Sequence, residues 1–408
     1  MYLTISKRFE FSASHHLAVD DWTGEENLRF YGKEAASRFG HGHNFVAGFV
    51  FNGPVDNMTG MMINVTIIKD KLKDVIDDRY DHKYLNADTS PFNKIIPTPE
   101  NIAPNLLAEA VPLFRDVTAQ PVACHLNESP RSEVTAYADG RVERHLWIDF
   151  SAARRTFSPH LTDAANEELF GEASRPSGHG HHYRLRVTLG GDVDPKTGVI
   201  FPEMEAWKIL KELHTVYDHR NLSVDVVEFK KLPNTTEMLV RTMYTWLVAR
   251  LPVARIKLYE NDNFFAEYDG GDELAVSVLS QFHAAHRLHS CDLTNSDNVT
   301  TYGICNNPMG HGHLYRTEMT VQDRLDERTG VVARLDRLDG ALATALEGWD
   351  YKHLNEEMDD FKSVPTTGEN IVRVLWEKLD GRVDARIMRV RLWETPNNRF
   401  TLRRSVND

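Results

Sequence analysis

The pattern of apolar and polar residues along the chain predicts the same order of strands and helices three times. The stretch 41–51, HGHNFVAGFVF, alternates apolar with polar side chains, as a strand buried on one face does. The stretches 101–114, 206–214 and 369–379 space their apolar residues by three and four, which predicts helices. Each unit has strands first, then helices, then a closing strand, such as 256–260. This order predicts an α+β unit, an antiparallel sheet with helices on one face.

Short sequence motifs recur at nearly the same spacing as this pattern. GHGH occurs at 40–43, 178–181 and 310–313, so the first histidines are 138 and 132 residues apart. Four other markers recur in the same order: FSASHHL, FSAARRT and FHAAHRL; TGMM, TGVI and TGVV; YDHKYL, YDHRNL and WDYKHL; TPENIA, TTEMLV and TGENIV. Such spacing predicts three tandem, domain-sized units. The turn-rich YADGR and YDGGDE segments suggest units at 1–140, 141–271 and 272–408.

Composition narrows the possible environments. The 408 residues are 41% apolar and 26% charged, which is typical of a globular protein. The net charge of -13 argues against nucleic acid and anionic membranes as partners. No apolar run is long enough to span a membrane, and the first residues lack the apolar region of a secretory signal. Three scattered cysteines, Cys124, Cys291 and Cys305, favour a reducing compartment, so we expect a cytoplasmic protein.

Histidines in the repeats have the spacing of metal ligands. Residues i and i+2 of a strand point to one face, so the two histidines of each GHGH are neighbours. The opening strand offers a third histidine in two of the repeats. Three histidines and one open position are typical of a catalytic zinc. The predicted zinc ligands are His15, His41 and His43 in the first repeat and His286, His311 and His313 in the third.

The second repeat departs from this pattern. It keeps His179 and His181 but has Arg154 where the third ligand is expected. A guanidinium cannot ligate zinc and repels a cation. We therefore expect two zinc ions per chain and none in the second repeat.

The motifs FSASHHL, YGICNNPMGHGHLY, YDHKYLN, TPENIA and LWET together resemble the 6-pyruvoyl tetrahydropterin synthase and 6-carboxytetrahydropterin synthase family. The resemblance covers nearly the whole chain, as three fused units. It implies a tunnelling fold in which three units close into one pseudo-trimeric barrel and two chains stack as a homodimer. It also implies zinc sites between units and a small pterin substrate, 7,8-dihydroneopterin triphosphate.

The resemblance assigns a base to the third repeat. Cys305 occupies the cysteine position of the family, where a thiolate beside zinc and an imidazole can remove a proton from the substrate. With one inserted residue, Glu34 takes this position in the first repeat, and Ala173 takes it in the second. Some similar proteins carry glutamate there and cleave the side chain to 6-hydroxymethyl-dihydropterin. A solvated loop glutamate is the alternative for Glu34.

An aspartate–histidine pair is the proton relay that the resemblance implies. Asp81 with His82 and Asp218 with His219 match it, whereas the third repeat has Asp350 followed by Tyr351. The relay for Cys305 therefore has to come from another repeat, and the order along the chain leaves open which one.

The resemblance also implies a carboxylate anchor for the pterin ring, because two neighbouring N–H groups of the ring can bind one carboxylate. Glu394 matches this position, Glu260 matches it in the second repeat, and Glu128 matches it in the first, where Glu133 competes. Threonines are expected to flank the ring at Thr98, Thr235, Thr236, Thr366 and Thr367.

The expected activity is that of a zinc-dependent lyase. Cys305 favours elimination of triphosphate, a carbon–oxygen lyase reaction, and Glu34 favours carbon–carbon cleavage. A non-catalytic scaffold that binds zinc and pterin is the alternative, suggested by the broken second repeat and by Tyr351.

Overall fold

Twelve strands form one closed antiparallel barrel within residues 1–405, the part of the chain that the computed structural model describes. The last three residues of the predicted third unit, 406–408, lie outside the described residues. Three further strands of two residues each pair in parallel with the opening strand of a repeat. Among the described residues, no helix is long and apolar enough to cross a membrane.

Each repeat supplies four long strands and one short strand. The first has β1 (Tyr2–His15), β2 (His41–Asn52), β3 (Lys83–Tyr84), β4 (Gln120–Ser129) and β5 (Ser132–Tyr137). The second has β6 (Val142–Arg154), β7 (His179–Gly190), β8 (Arg220–Asn221), β9 (Val253–Asn261) and β10 (Phe264–Tyr268). The third has β11 (Glu273–His286), β12 (His311–Arg324), β13 (Lys352–His353), β14 (Arg386–Thr395) and β15 (Asn398–Arg403).

Four helices of each repeat lie at equivalent places in the chain. They are α1 (Gly24–Tyr31), α2 (Val65–Arg79), α3 (Leu85–Asp88) and α4 (Pro99–Ala110) in the first repeat. They are α5 (Asp163–Phe170), α6 (Glu203–Tyr217), α7 (Leu222–Asp225) and α8 (Thr236–Val248) in the second. They are α9 (Asn295–Tyr302), α10 (Leu335–Glu347), α11 (Leu354–Glu357) and α12 (Gly368–Leu379) in the third. Short 3-10 turns follow several of them, at Gly32–Ala35, Val111–Phe114, Gly171–Ser174, Val227–Lys230, Gly303–Asn306 and Asp359–Phe361.

The ring closes through three junctions of neighbouring repeats. Strand β5 pairs with β6, and β10 pairs with β11, each across a short turn of the chain. The third junction joins the first strand to the last, because β1 pairs with β15 from Tyr2 opposite Arg403 to Lys7 opposite Asn398. One chain therefore supplies a complete barrel, as the resemblance to the family implied.

The hydrophobic core lies between the barrel and the helices outside it. Along β2, Phe45, Phe49 and Phe51 are fully buried in this layer. Gly48 and Val50 alternate with them and face the inside of the barrel, where a cavity of about 1350 Å³ is lined mainly by polar and charged side chains. The alternation read from the sequence thus separates a core face from a polar interior face.

The sequence interpretation missed one strand in each repeat. The segments in β9 and β14 that were expected to close their units are each followed by a further strand, β10 or β15, and β5 is the equivalent in the first repeat. These strands are only five or six residues long. So short a stretch contains only two or three repeats of the apolar–polar alternation, which gives a weak signal in the sequence.

Candidate functional sites between the repeats

Strand register brings three histidines together in the first repeat. His15 on β1 lies directly opposite His41 on β2, and His43 follows two residues later on the same face. The Nε2 atoms of His15 and His41 are 3.1 Å apart. The three rings lie within 4.7 to 5.0 Å of one another, measured between centroids. We call this group the first site.

The third repeat builds the same arrangement. His286 on β11 lies opposite His311 on β12, and His313 completes the group. The ring centroids are 4.6 to 5.2 Å apart. We call this group the third site. Both predicted triads are therefore assembled in the folded chain.

The buried histidine of each triad is prepared to bind a cation. The Nδ1 atoms of His15 and His286 are each 2.8 Å from a backbone carbonyl, of Pro97 and Thr366 respectively. A carbonyl can only accept, so Nδ1 carries the proton and Nε2 presents its lone pair to the site. Burial lowers the pKa of His15 to about 4 and that of His286 to about 3, so both imidazoles are neutral near pH 7.

Unsatisfied nitrogen atoms support a metal at these positions. Within residues 1–405, the buried Nε2 atoms of His286, His313 and His43 have no hydrogen-bond partner. Buried polar atoms are normally paired, and a place for a bound ion is one cause of an exception. Three converging imidazole nitrogens suit zinc better than magnesium or calcium.

Glu34 enters the first site as a fourth group. Its Oε2 atom lies 3.6 Å from Nε2 of His15 and 3.7 Å from Nε2 of His43, and it contacts Nε2 of His41 directly. Its backbone carbonyl accepts from the amide of Leu17, just as the carbonyl of Cys305 accepts from Leu288. Glu34 therefore does occupy the position equivalent to the cysteine, and it is not a solvated loop residue.

Cys305 and Glu394 border the third site. Oε1 of Glu394 lies 3.7 Å from Nε2 of His286 and 4.0 Å from Nε2 of His313. Cys305 is half-buried, and burial together with the charge of Glu394 raises the pKa of its thiol. In the chain without a bound ion the thiol is therefore protonated at neutral pH, whereas a thiolate beside zinc was expected from the sequence.

The second site, with His179 and His181, is occupied by a side chain of the protein. Arg154 lies opposite His179 in the strand register, where the other repeats have histidine. Its Nη2 atom donates to Oε2 of Glu260 at 2.6 Å and to Oγ1 of Thr236 at 3.0 Å. The third histidine is thus replaced by an internal ion pair, although His179, His181 and Glu260 still place three possible ligand atoms close together. The absence of zinc from this site stays a prediction.

Two consecutive repeats form the walls of each site. The hydroxyl groups of Thr98, Thr235 and Thr367 each donate to a glycine carbonyl in the TG loop of the next repeat, at Gly198, Gly330 and Gly60. These predicted ring-flanking threonines therefore join the repeats. The order is cyclic: the first repeat contacts the second, the second contacts the third, and the third contacts the first.

The sequence interpretation did not single out Glu369. This buried carboxylate accepts a hydrogen bond of 2.8 Å from the amide of Met62, which belongs to the first repeat. Burial raises its pKa to about 7. A signal was available, because glutamate follows threonine by one or two residues in TPEN, TTEM and TGEN.

Both aspartate–histidine pairs are formed. Nδ1 of His82 is 2.7 Å from Asp81, and Nδ1 of His219 is 2.7 Å from Asp218. Each side chain of the two histidines is 83% exposed. No hydrogen bond joins either ring to Cys305 among the residues that the structure describes. The structure thus leaves both pairs at the surface, free to meet another molecule.

Comparison with known proteins identifies the repeated unit. The family model for 6-pyruvoyl tetrahydropterin synthase matches residues 4–139, 145–271 and 275–405. The chain belongs to this family. A 6-pyruvoyl tetrahydrobiopterin synthase of Pongo abelii is 39% identical over 127 residues, which are 30% of this chain and 88% of that protein. The human protein of the same name is 38% identical over 127 residues, with the same coverage.

A solved structure of the family is also similar in sequence to one part of the chain. The 6-pyruvoyl tetrahydropterin synthase of Caenorhabditis elegans is 32% identical, and the match covers 33% of this chain and 96% of that one, with a TM-score of 0.32. The two curated relatives match over 127 residues, which is about the length of one repeat. Because the family model matches all three repeats, the second repeat with Arg154 is a member of the family as well.

Proposed function

We propose that the chain is a zinc-dependent synthase that acts on 7,8-dihydroneopterin triphosphate at its third site. The relatives named 6-pyruvoyl tetrahydrobiopterin synthase support a pterin enzyme of the lyase type. The observation that carries the proposal is the composition of the third site. Three histidines converge there with Glu394 beside them, and Cys305 is close enough to feel the charge of Glu394, whereas the other two sites have no cysteine.

The residues of the third site divide the work. His286, His311 and His313 hold the zinc, and the bound ion supplies a Lewis acid for the side-chain oxygens of the substrate. Glu394 accepts two N–H groups of the pterin ring and fixes its orientation. Cys305 removes a proton from the side-chain carbon, and the electron pair of that bond leads to departure of the triphosphate.

A second copy of the chain completes the site in this proposal. The thiol of Cys305 needs a partner that takes its proton, and the side chains of His82 and His219 are largely exposed, each held by its aspartate. Large apolar side chains next to Cys305 are open to solvent: Ile304 is 95% and Met309 is 85% exposed. Contiguous exposed apolar residues are typical of an interface. We propose that two chains stack on this face and exchange relay histidines.

Glu34 has a different role in this proposal. Its carboxylate oxygen lies among the Nε2 atoms of all three imidazoles, so Glu34 would add a fourth ligand to a zinc held there by His15, His41 and His43. This geometry favours a ligand over a base, so we propose that the first site holds a four-coordinate, structural zinc and does not carry out carbon–carbon cleavage.

Product analysis tests the proposed function. The zinc-loaded chain is incubated with 7,8-dihydroneopterin triphosphate, and the products are identified by mass spectrometry. We expect release of triphosphate and a pterin that retains its three-carbon side chain. Formation of 6-hydroxymethyl-dihydropterin would instead support cleavage at Glu34. No turnover with both triads loaded with zinc would favour the non-catalytic scaffold.

A further inference from the structure

The two sites without cysteine share a second feature, an arginine that binds the carboxylate expected to anchor a pterin. In the second site Arg154 donates to Glu260 at 2.6 Å. In the first site Nη2 of Arg144 lies 3.5 Å from Oε2 of Glu128, and Nη1 lies 3.0 Å from Glu100. Both guanidinium groups are almost fully buried.

Arg144 is special to the junction between the first and second repeats. The opening strands of the three repeats can be aligned on His15, Arg154 and His286, which each lie opposite the first histidine of a GHGH motif. In this alignment Arg144 corresponds to Ile5 and Val276. Both of these are buried aliphatic residues. The arginine therefore replaces an apolar side chain that the other two junctions retain.

Its partner Glu203 is special to the same junction. Glu203 is the first residue of α6, and the equivalent helices α2 and α10 begin with Val65 and Leu335. Nη2 of Arg144 donates to Glu203 at 2.6 Å. A charged pair thus stands where the other junctions have two apolar residues, and it holds the guanidinium against Glu100 and Glu128.

A guanidinium resembles the edge of a pterin ring. Both present neighbouring N–H donors in one plane, and both bind a carboxylate through them. Glu128 also accepts from Ser132 at 2.8 Å, so its Oε2 atom is occupied twice. The remaining cavity beside Glu34, Thr98 and Glu128 is about 20 Å³, which is room for about one water molecule.

The third site lacks such an arginine among the described residues. The side chain that bonds Glu394 is Asn398, at 3.3 Å. Ile5 and Val65 lie at the corresponding positions of this junction. A neutral amide is displaced from a carboxylate more readily than a buried guanidinium, since the guanidinium would leave uncompensated charges behind.

From these contacts we infer that the arginines act as internal occupants of two pterin sites, so that each chain binds one pterin, at the third site. This inference rests on the proposed function, in which Glu394 anchors the ring. Each of the three junctions in the fused chain then holds a metal ion or an ion pair that stabilises the barrel. The third site is the one that also binds substrate.

Counting bound ligand tests this inference. Neopterin is titrated by calorimetry into the zinc-loaded, full-length chain, and we expect one molecule per chain, with binding lost in Glu394→Gln. A count of two or three would overturn the inference and leave the proposed function standing. A count of zero would overturn both, because Glu394 would then hold no ring.

Two variants reopen the occupied sites. Arg154→His restores the third histidine and frees Glu260, so we expect three zinc ions and two neopterin molecules per chain. Arg144→Ile with Glu203→Val copies the apolar pair of the other junctions and should also raise the neopterin count to two. Gel filtration and thermal melting establish that each variant is folded. Folded variants that still bind one neopterin would contradict the inference, and either variant suffices if the other does not fold.

Discussion

At the scale of single residues, chemistry depends on what surrounds each side chain in its repeat. The equivalent positions of the three repeats carry Glu34, Ala173 and Cys305, and only the cysteine offers a thiolate as a base. The equivalent positions His15, Arg154 and His286 differ as well, so the second repeat has an arginine where the other two have a third histidine. Differences at these two equivalent positions therefore give the three repeats three different sites on the same fold.

The role of Cys305 can be tested by removal of its thiol. We expect Cys305→Ala to lower turnover by about 100-fold or more, because a positioned general base contributes on that order. Zinc content should remain at two per chain, since Cys305 is not a ligand in this proposal. Cys291→Ala is the matched control, because that cysteine is exposed and belongs to neither triad. Unchanged turnover in Cys305→Ala would assign the thiol a structural role.

The role of Glu34 can be tested by metal release. We expect Glu34→Ala to accelerate the loss of one zinc per chain to a chelator by at least about tenfold, because the site loses its anionic group. The rate for the other zinc should not change. Glu25→Ala, an exposed glutamate of α1, is the control. If both release rates stay at their original values, Glu34 is not a ligand.

The buried histidines predict a dependence of stability on pH. Burial depresses the pKa of His15 to about 4 and of His286 to about 3, below the ordinary value of 6.5. Below pH 6.5 the unfolded chain binds these protons and the folded chain does not, so stability is lost as the pH falls. For the metal-free chain we expect the free energy of unfolding to fall by roughly 2 kcal/mol per histidine between pH 7 and pH 5.

Urea unfolding with a chelator present measures this effect. His286→Gln should remove about half of the pH dependence that the two histidines cause, because glutamine does not titrate. A free energy that stays constant between pH 7 and pH 5 would contradict the assignment of both rings as buried and neutral.

At the scale of elements, close contacts between helices and strands hold the barrel closed. Gly368 begins α12, and a Cβ atom at this position would lie 2.1 Å from the ring of Phe400 on β15. Since β15 pairs with β1, this contact supports the junction that the chain does not close covalently. By contrast, nothing lies within 4 Å of a Cβ atom at Gly340, inside α10.

Alanine at these two glycines should have opposite effects. We expect Gly368→Ala to lower the free energy of unfolding by about 1–3 kcal/mol, because Phe400 must move. Gly340→Ala should raise it by about 0.5–1 kcal/mol, since alanine favours the helix. Denaturant unfolding compares both variants with the parent chain. A loss of stability at Gly340 or none at Gly368 would show that the contacts of these helices are different.

At the scale of the whole molecule, fusion makes the three junctions independent. A homotrimer of identical units has identical sites, whereas each junction here carries its own pair of side chains. The first has Arg144 with Glu203, and the others have aliphatic residues at these positions. Fusion therefore allows one site to serve catalysis and two to stabilise the barrel.

Mixing of inactive variants tests the proposed exchange of relay histidines. A chain with Cys305→Ala keeps its histidines, and a chain with His82→Ala and His219→Ala keeps its thiol. If each chain completes the site of its partner, random exchange of subunits should restore about a quarter of the parent activity, because an isologous pair of the two variants has one intact site. Sedimentation should show two chains per particle. No recovery of activity after exchange would contradict the shared site.

The sequence by itself determined the three-fold repeat, the α+β class, the two histidine triads and the break at Arg154. These features follow from local periodicity and from the spacing of residues within single strands. Both can be recognised in the sequence without knowledge of the fold. The family match to all three repeats and the closed barrel confirm the repeat and the fold class. The strands β5, β10 and β15 were missed because they are only five or six residues long, which is too short for a clear alternation.

Only the tertiary structure decided which groups meet across a junction. Arg144 is 44 residues from Glu100 and 59 from Glu203, and it contacts both because three elements converge there. Glu34 reaches the histidines through a turn whose inserted residue obscured its position. The cyclic order of the repeats likewise depends on side-chain contacts such as Thr367 with Gly60. Such contacts join residues that are distant in sequence, and no periodicity along the chain records them.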